Sequence, residues 1–100
     1  MSVFMVMRVP GNPADLERYA QAHADLMKKV AGEGKAQGAI HHAFAKGENE
    51  IVIIDEWPSA EQFQSFFASQ KDIPQIMKEG GAKGEPKVTF YTKMDTPDIF

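Results

Sequence analysis

Three histidines and one aspartate are the residues of this sequence best suited to acid-base chemistry. His23 lies in a predicted helix, and Asp55 lies near the end of a predicted strand. His41 and His42 are adjacent in another strand, so they point to opposite faces and only one of them faces the helices. A carboxylate beside an imidazole fixes its tautomer and raises its basicity, as abstraction of a phenolic or enolic proton requires. These residues therefore predict a general base and its orienting acid.

The register of a predicted hairpin decides which histidine faces Asp55. Residues 37–46 and 50–57 read as strands around a three-residue loop, whose last position is an asparagine that tolerates the left-handed conformation. That loop places His41 opposite Asp55, whereas a loop of two or four residues would place His42 there. We expect the three-residue loop. His42 is then expected on the other face, where a dimer interface is favoured over a ligand contact.

An aromatic or apolar ligand is the expected occupant of this group. Trp57 lies on the same predicted face as Asp55, Tyr19 lies one turn before His23, and Met7 suits flat apolar molecules. Ordinary core packing explains the same residues equally well. The predicted catalytic residues are His41, His23 and Asp55, and the predicted ligand contacts are Trp57, Tyr19, His42 and Met7.

Two histidines and a carboxylate also suit zinc or non-haem iron. Their spacing here matches no known metal motif, and the sequence contains no cysteine that could complete a thiolate site. We therefore predict neither a metal nor a cofactor.

The elements that position these residues follow from apolar spacing and from turn residues. A strand precedes an asparagine–proline helix start, a hairpin follows, and a serine with a glutamine three residues later begins another helix. The predicted elements are a strand at 3–9, a helix from 13 to Gly32 or Gly34, strands at 37–46 and 50–57, a helix from Ser59, a short helix within 71–79, a strand at 86–94 and a tail at 95–100. This order is that of an α+β, ferredoxin-like βαββαβ domain with a four-stranded antiparallel sheet.

Composition limits the classes of function. A chain of 100 residues forms one domain, here 1–100, and a net charge of -3 argues against nucleic acid as a partner. The absence of cysteine favours a reducing compartment, and the longest apolar run, near Ile51–Ile54, is far too short to cross a membrane. We expect a cytoplasmic protein.

Both faces of the predicted sheet are apolar, which favours a homodimer. Helices cover one face, and a second copy of the sheet is the simplest cover for the other, closing a barrel. The two expected faces are Phe4, Val6, Phe44, Val52 and Ile54 on one side, and Met5, Met7, Ile51 and Ile53 on the other.

The stretch Glu56-Trp57-Pro58-Ser59-Ala60-Glu61-Gln62-Phe63, together with the order of elements, resembles the dimeric α+β barrel superfamily and its antibiotic-biosynthesis-monooxygenase-like domains. The resemblance implies a dimer and covers most of the chain. Haem-degrading members have an asparagine late in the first strand and a haem-ligating histidine after the second helix. The matching places here are Met7 and the segment 71–79, which contains no histidine, so haem is not expected.

Three function classes fit these residues. The first is a cofactor-independent, monooxygenase-like enzyme acting on a small aromatic or quinol-type molecule. The second is a non-catalytic dimer that binds a small ligand or assists another protein. The third is a cyclase or isomerase that uses the same acid-base residues without oxygen.

Overall fold

The computed structural model describes all 100 residues and contains four strands and four helices. In chain order the elements are β1 (Val3–Pro10), α1 (Pro13–Ala22), α2 (Ala24–Ala36), β2 (His41–Gly47), β3 (Glu50–Trp57), α3 (Ala60–Ser69), α4 (Ile73–Glu79) and β4 (Lys87–Thr92). The predicted ferredoxin-like α+β fold is confirmed.

The four strands form one antiparallel sheet in the order β2-β3-β1-β4. Alternate residues of the two central strands point toward the helices and are buried, among them Met5, Met7 and Ile51. Each of these side chains contributes roughly 1.5–3 kcal/mol by leaving water. The core contains Met5, Met7, Val9, Leu16, Ile51, Ile53, Trp57, Phe63, Phe66 and Ile76.

The first helical region is broken at His23, so the prediction of one continuous helix is wrong. Asn12 caps α1 as expected, because its side chain accepts a hydrogen bond from the backbone N–H of Ala14. His23 has φ -125° and ψ 44°, outside the helical region, and its Nδ1 lies 2.9 Å from the carbonyl oxygen of Tyr19. This side-chain contact with the last turn of α1 accompanies the break, and α2 starts at the next residue, Ala24.

The second helical region begins and divides as predicted. The Ser59 hydroxyl accepts a hydrogen bond from the backbone N–H of Gln62 at 3.2 Å, which caps α3. Pro74 lies in the first turn of α4, where its missing N–H costs no helical bond. No helix in the chain is long and apolar enough to span a lipid bilayer.

The β2–β3 hairpin closes with a two-residue loop, so the predicted three-residue loop is wrong. Its second residue, Asn49, has φ 56°, as expected for a left-handed position. Gly47 pairs with Glu50, and a Cβ on Gly47 would lie 2.5 Å from the Glu50 Cγ. The two strands approach so closely here that glycine is favoured opposite Glu50, where the sequence analysis placed Lys46. The slip of one residue turns every β2 side chain to the opposite face.

The sheet face away from the helices has a group of apolar side chains. The register places Val6 beside Ile54 and Arg8 beside Val52 on this face, and Ile54 is 44% exposed. Phe44, which was expected here, lies on the helix side opposite Ile53 instead. We call the remaining set Phe4, Val6, Val52 and Ile54 the free sheet face.

Candidate functional site

A cavity of about 100 Å³, here called the inner cavity, lies between the sheet and α2, α3 and α4. Its wall is almost entirely apolar, and its only two titratable side chains are His42 and Asp55. Close helix contact shapes the wall, because a Cβ on Gly34 would lie 3.3 Å from the Phe66 ring. The wall includes Met5, Met7, Met27, Val30, Phe44, Ile53, Trp57, Phe63, Phe66, Phe67, Ile73, Ile76 and Met77.

A chain of hydrogen bonds links three side chains in this wall. The Nδ1 of His42 lies 2.7 Å from one carboxylate oxygen of Asp55, and Trp57 Nε1–H donates to the other at 3.0 Å. The register explains the contact, because His42 and Asp55 are direct cross-strand neighbours. Trp57 follows two residues later on the same face of β3.

The contact with Asp55 favours one tautomer of a neutral His42 ring. An ionised carboxylate only accepts hydrogen bonds, so the proton shared with Asp55 belongs to His42 Nδ1. In the neutral ring, the lone pair is then on the other nitrogen, Nε2. The Asp55 side chain is 8% exposed and the His42 side chain is 39% exposed. The arrangement is therefore a buried carboxylate behind an accessible imidazole.

His42 stands where His41 was expected, and the prediction that His41 faces Asp55 is wrong. His41 pairs with Glu56 and points away from the helices. The expectation that His42 faces the free sheet face is wrong for the same reason. Asp55, Trp57 and Met7 do lie in the wall of the inner cavity.

His23 and Tyr19 lie outside the inner cavity. His23 is exposed at the junction of α1 and α2, so the expectation that it faces inward is wrong. Its ring stacks on Tyr19 at a centroid distance of 4.1 Å. Partial burial, with the neighbouring Glu79 carboxylate, raises the pKa of the Tyr19 phenol. Tyr19 packs partly buried against the core, and His23 lies exposed beside it.

Phe44 is a wall residue that the sequence reasoning missed. Its ring meets the His42 ring edge-on at a centroid distance of 5.1 Å. The available signal was Gly47, since a glycine directly before the turn suits a close strand pair there. That signal would have predicted the two-residue loop, and with it the side chains of His42 and Phe44 on the helix side of the sheet.

A second polar group lies at the edge of the free sheet face. Glu56 is buried and accepts hydrogen bonds from the Ser2 hydroxyl at 2.5 Å and from Lys93 Nζ at 3.2 Å. The Ser2 hydroxyl, followed by Lys93 and His41, lowers the pKa of the Glu56 carboxyl despite its burial. The group anchors the N-terminus and the segment after β4.

No three His, Asp or Glu side chains of the chain converge in an arrangement that fits a metal ion. The expectation that the protein uses neither a metal nor a cofactor stays a prediction.

Solved structures of several proteins have the same fold. The chain matches SnoaB, a cofactor-independent oxygenase from Streptomyces nogalater, with a TM-score of 0.61 and 19% identity over 98% of both chains. This chain has a ferredoxin-like fold that it shares with antibiotic biosynthesis monooxygenases. The ActVA-Orf6 monooxygenase of Streptomyces coelicolor, solved with nanaomycin D, matches with a TM-score of 0.67 and 16% identity over 95% of this chain and 89% of that one.

A dimeric ferredoxin-like protein from an uncultured marine organism matches with a TM-score of 0.65 and 13% identity over 97% of this chain and 93% of that one. The sequence matches no protein-family model and no curated protein. At these identities the comparisons establish the fold, and they confirm the predicted resemblance at that level.

Proposed function

We propose that this protein is a cofactor-independent oxygenase that acts on a small aromatic molecule carrying a phenolic or quinol hydroxyl. The observation that carries the proposal is the His42–Asp55–Trp57 chain, which brings one oriented base into an otherwise apolar cavity. A flat ring fits such a wall, and a phenolic proton gives the base something to remove.

The proposed reaction begins when His42 Nε2 takes the phenolic proton. The electron-rich ring carbon of the phenolate then bonds to O₂, and the proton returns to form a ring hydroperoxide. Loss of the ring C–H proton and cleavage of the O–O bond release water and leave a carbonyl. The ring supplies both electron pairs that reduce O₂, so the balance is phenol plus O₂ giving quinone plus water.

Two features support this reaction. Asp55 stabilises the positive charge that His42 gains on taking a proton, and Trp57 holds Asp55 in place. The apolar wall admits O₂ and limits the water that would compete for the reactive phenolate. SnoaB, which shares the fold, is a cofactor-independent oxygenase, and the ActVA-Orf6 monooxygenase holds nanaomycin D.

Oxygen uptake with a panel of single-ring phenols and quinols tests the proposal. We expect His42→Asn to lower enzyme-dependent turnover by about 10²- to 10⁴-fold, the usual contribution of a general base. His41→Asn is the matched control, because it changes the neighbouring residue of the same strand on the opposite face. We expect that control to keep wild-type turnover, with thermal melts showing that both variants fold.

The same assay separates the other two function classes. Substrate conversion without oxygen uptake, lost in His42→Asn, would replace the oxygenase with a cyclase or isomerase. Saturable binding without any conversion would replace it with a ligand-binding or accessory protein. Equal turnover in the two histidine variants would remove His42 from the mechanism.

We also propose that the protein is a homodimer joined through the free sheet face. The exposed side chain of Ile54 and its apolar neighbours Val6 and Val52 support a sheet-on-sheet contact, and one protein of the same fold is dimeric. Light scattering after size-exclusion chromatography is expected to give twice the chain mass. We expect Ile54→Lys to give a monomer and Ala36→Lys, on exposed helix surface, to leave the dimer intact. A wild-type monomer at micromolar concentration would refute the dimer.

We propose a cytoplasmic location, which the cysteine-free composition supports. Cell fractionation of a tagged chain tests it, and recovery outside the cytoplasmic fraction would refute it.

A further inference from the structure

A second cavity lies beside the inner cavity and belongs to no part of the proposed reaction. It has a volume of about 190 Å³ and lies between α1 and the β2–β3 hairpin. We call it the outer cavity. Its wall consists of Pro13, Leu16, Glu17, Ala20, Phe44, Ala45, Lys46 and Ile51.

Phe44 is the one residue that lines both cavities. Its ring lies edge-on to His42, so it stands directly beside the base of the inner cavity. In the wall of the outer cavity, Phe44 lies with Ala45 and Lys46 of the same strand and with residues of α1. The ring is therefore a partition between the two spaces.

The Phe44 ring lies at the margin of the core and is only partly buried. Phe44 is 39% exposed and belongs to β2, which is an edge strand of the sheet. The polar contact between α1 and β2 at the outer cavity is the Lys46–Glu17 ion pair at 2.9 Å, whose side chains are 64% and 52% exposed. Exposed ion pairs of this kind contribute little stability. Removal of the Phe44 ring would thus open the space without dismantling the buried core.

We propose that Phe44 determines substrate size, restricting the site at His42 to single-ring compounds by separating it from the outer cavity. The proposal rests on the proposed function, since it assumes that the inner cavity holds the aromatic substrate. The inner cavity, at about 100 Å³, is smaller than ordinary ligand pockets, which measure about 300–1,000 Å³. The two cavities joined approach the lower end of that range.

Phenol and 1-naphthol are suitable probes because they share the hydroxyl and differ by one fused ring. Isothermal titration calorimetry of the wild-type chain is expected to show binding of phenol and much weaker binding of 1-naphthol. We expect Phe44→Ala to tighten 1-naphthol binding by about ten-fold or more relative to wild type, because the second ring gains apolar burial in the outer cavity.

Two further variants make the test specific. Phe67→Ala is the matched control, since it removes an equal ring from the inner cavity wall without reaching the outer cavity. We expect it to produce a smaller gain for 1-naphthol than Phe44→Ala produces. Ala20→Phe added to Phe44→Ala refills the outer cavity from α1. We expect this double variant to return 1-naphthol affinity toward the wild-type value, with thermal melts confirming that each chain folds.

The outcomes separate this proposal from the proposed function. Phenol binding in the wild type with no gain for 1-naphthol in Phe44→Ala would overturn the partition and leave the site intact. Equal gains in the Phe44 and Phe67 variants, or a gain that Ala20→Phe fails to reverse, would also overturn it. Failure of every chain to bind either probe would overturn both proposals.

Discussion

Replacement of Asp55 by asparagine is expected to move a proton within the His42 ring. Asp55 accepts one hydrogen bond from His42 Nδ1 and another from Trp57 Nε1–H. An asparagine side chain offers one oxygen acceptor and one NH₂ donor. The indole can only donate, so it takes the oxygen and leaves the NH₂ group facing His42 Nδ1. That nitrogen must then accept, which places the ring proton on Nε2 and removes the free base.

The strength of the existing bond sets the size of the change. A hydrogen bond to a charged group contributes about 1.5–3 kcal/mol. Since about 1.4 kcal/mol is a ten-fold ratio, the Nδ1–H form of neutral His42 is favoured about 10- to 150-fold in the native chain. We expect Asp55→Asn to make the Nε2–H form the major one. If the proposed function holds, turnover falls with it, by about 10²-fold or more.

Nitrogen-15 NMR of histidine-labelled protein measures the tautomer directly and needs no substrate. The chain contains only three histidines, so single substitutions of His23 and His41 assign the signals of His42. A His42 ring that carries its proton on Nε2 in the native chain would refute the reasoning. The same conclusion would follow if Asp55→Asn left the native tautomer in place.

Three further changes test the fold around the site. The Ser2 hydroxyl lowers the pKa of Glu56 from about 4.5, so this carboxylate stabilises the fold above that pH, and the stabilisation is lost as pH falls through the lowered pKa. Urea unfolding is therefore expected to show that Glu56→Gln loses less free energy of unfolding at acid pH than the native chain loses. An unchanged loss would contradict this. Gly38 has φ 117° and a Cβ there would lie 2.8 Å from Gln62 Nε2, so Gly38→Ala is expected to lower the free energy of unfolding by about 1 kcal/mol or more. Gly32 lies in α2 with open space around it, so Gly32→Ala is expected to raise the free energy of unfolding by about 0.5–1 kcal/mol. Calorimetric melts that find Gly38→Ala as stable as Gly32→Ala, or more stable, would refute the reasoning for both glycines.

The order of elements was accessible from the sequence because its signals are local. Asn12 before a proline and Ser59 before Gln62 mark helix starts, and the structure shows both caps. The break at His23 was not accessible in the same way. The apolar spacing continues through it, and the break coincides with a contact between the His23 side chain and the preceding turn, which spacing does not reveal.

The composition of the candidate site was predicted in part, since His23 and Tyr19 lie outside it, and the register of β2 was missed. Asp55, Trp57 and a histidine of β2 were expected together, and they are together. Which histidine it is depends on one residue of loop length, because the side-chain period of a strand is two. The deciding contact is the tight pairing of Gly47, which is a property of two strands packed together. Periodicity within one strand carries no information about it.

The edge position of β2 has a consequence for how this protein can evolve. None of the ten residues of the hydrophobic core lies in β2, although His42 and Phe44 both do. Mutations in this strand therefore alter His42 and the shape of its surroundings while the central strands keep their packing. Selection for a new ligand can act on β2 with little loss of stability. Residues that contact the ligand can therefore change while the residues that stabilise the fold stay the same.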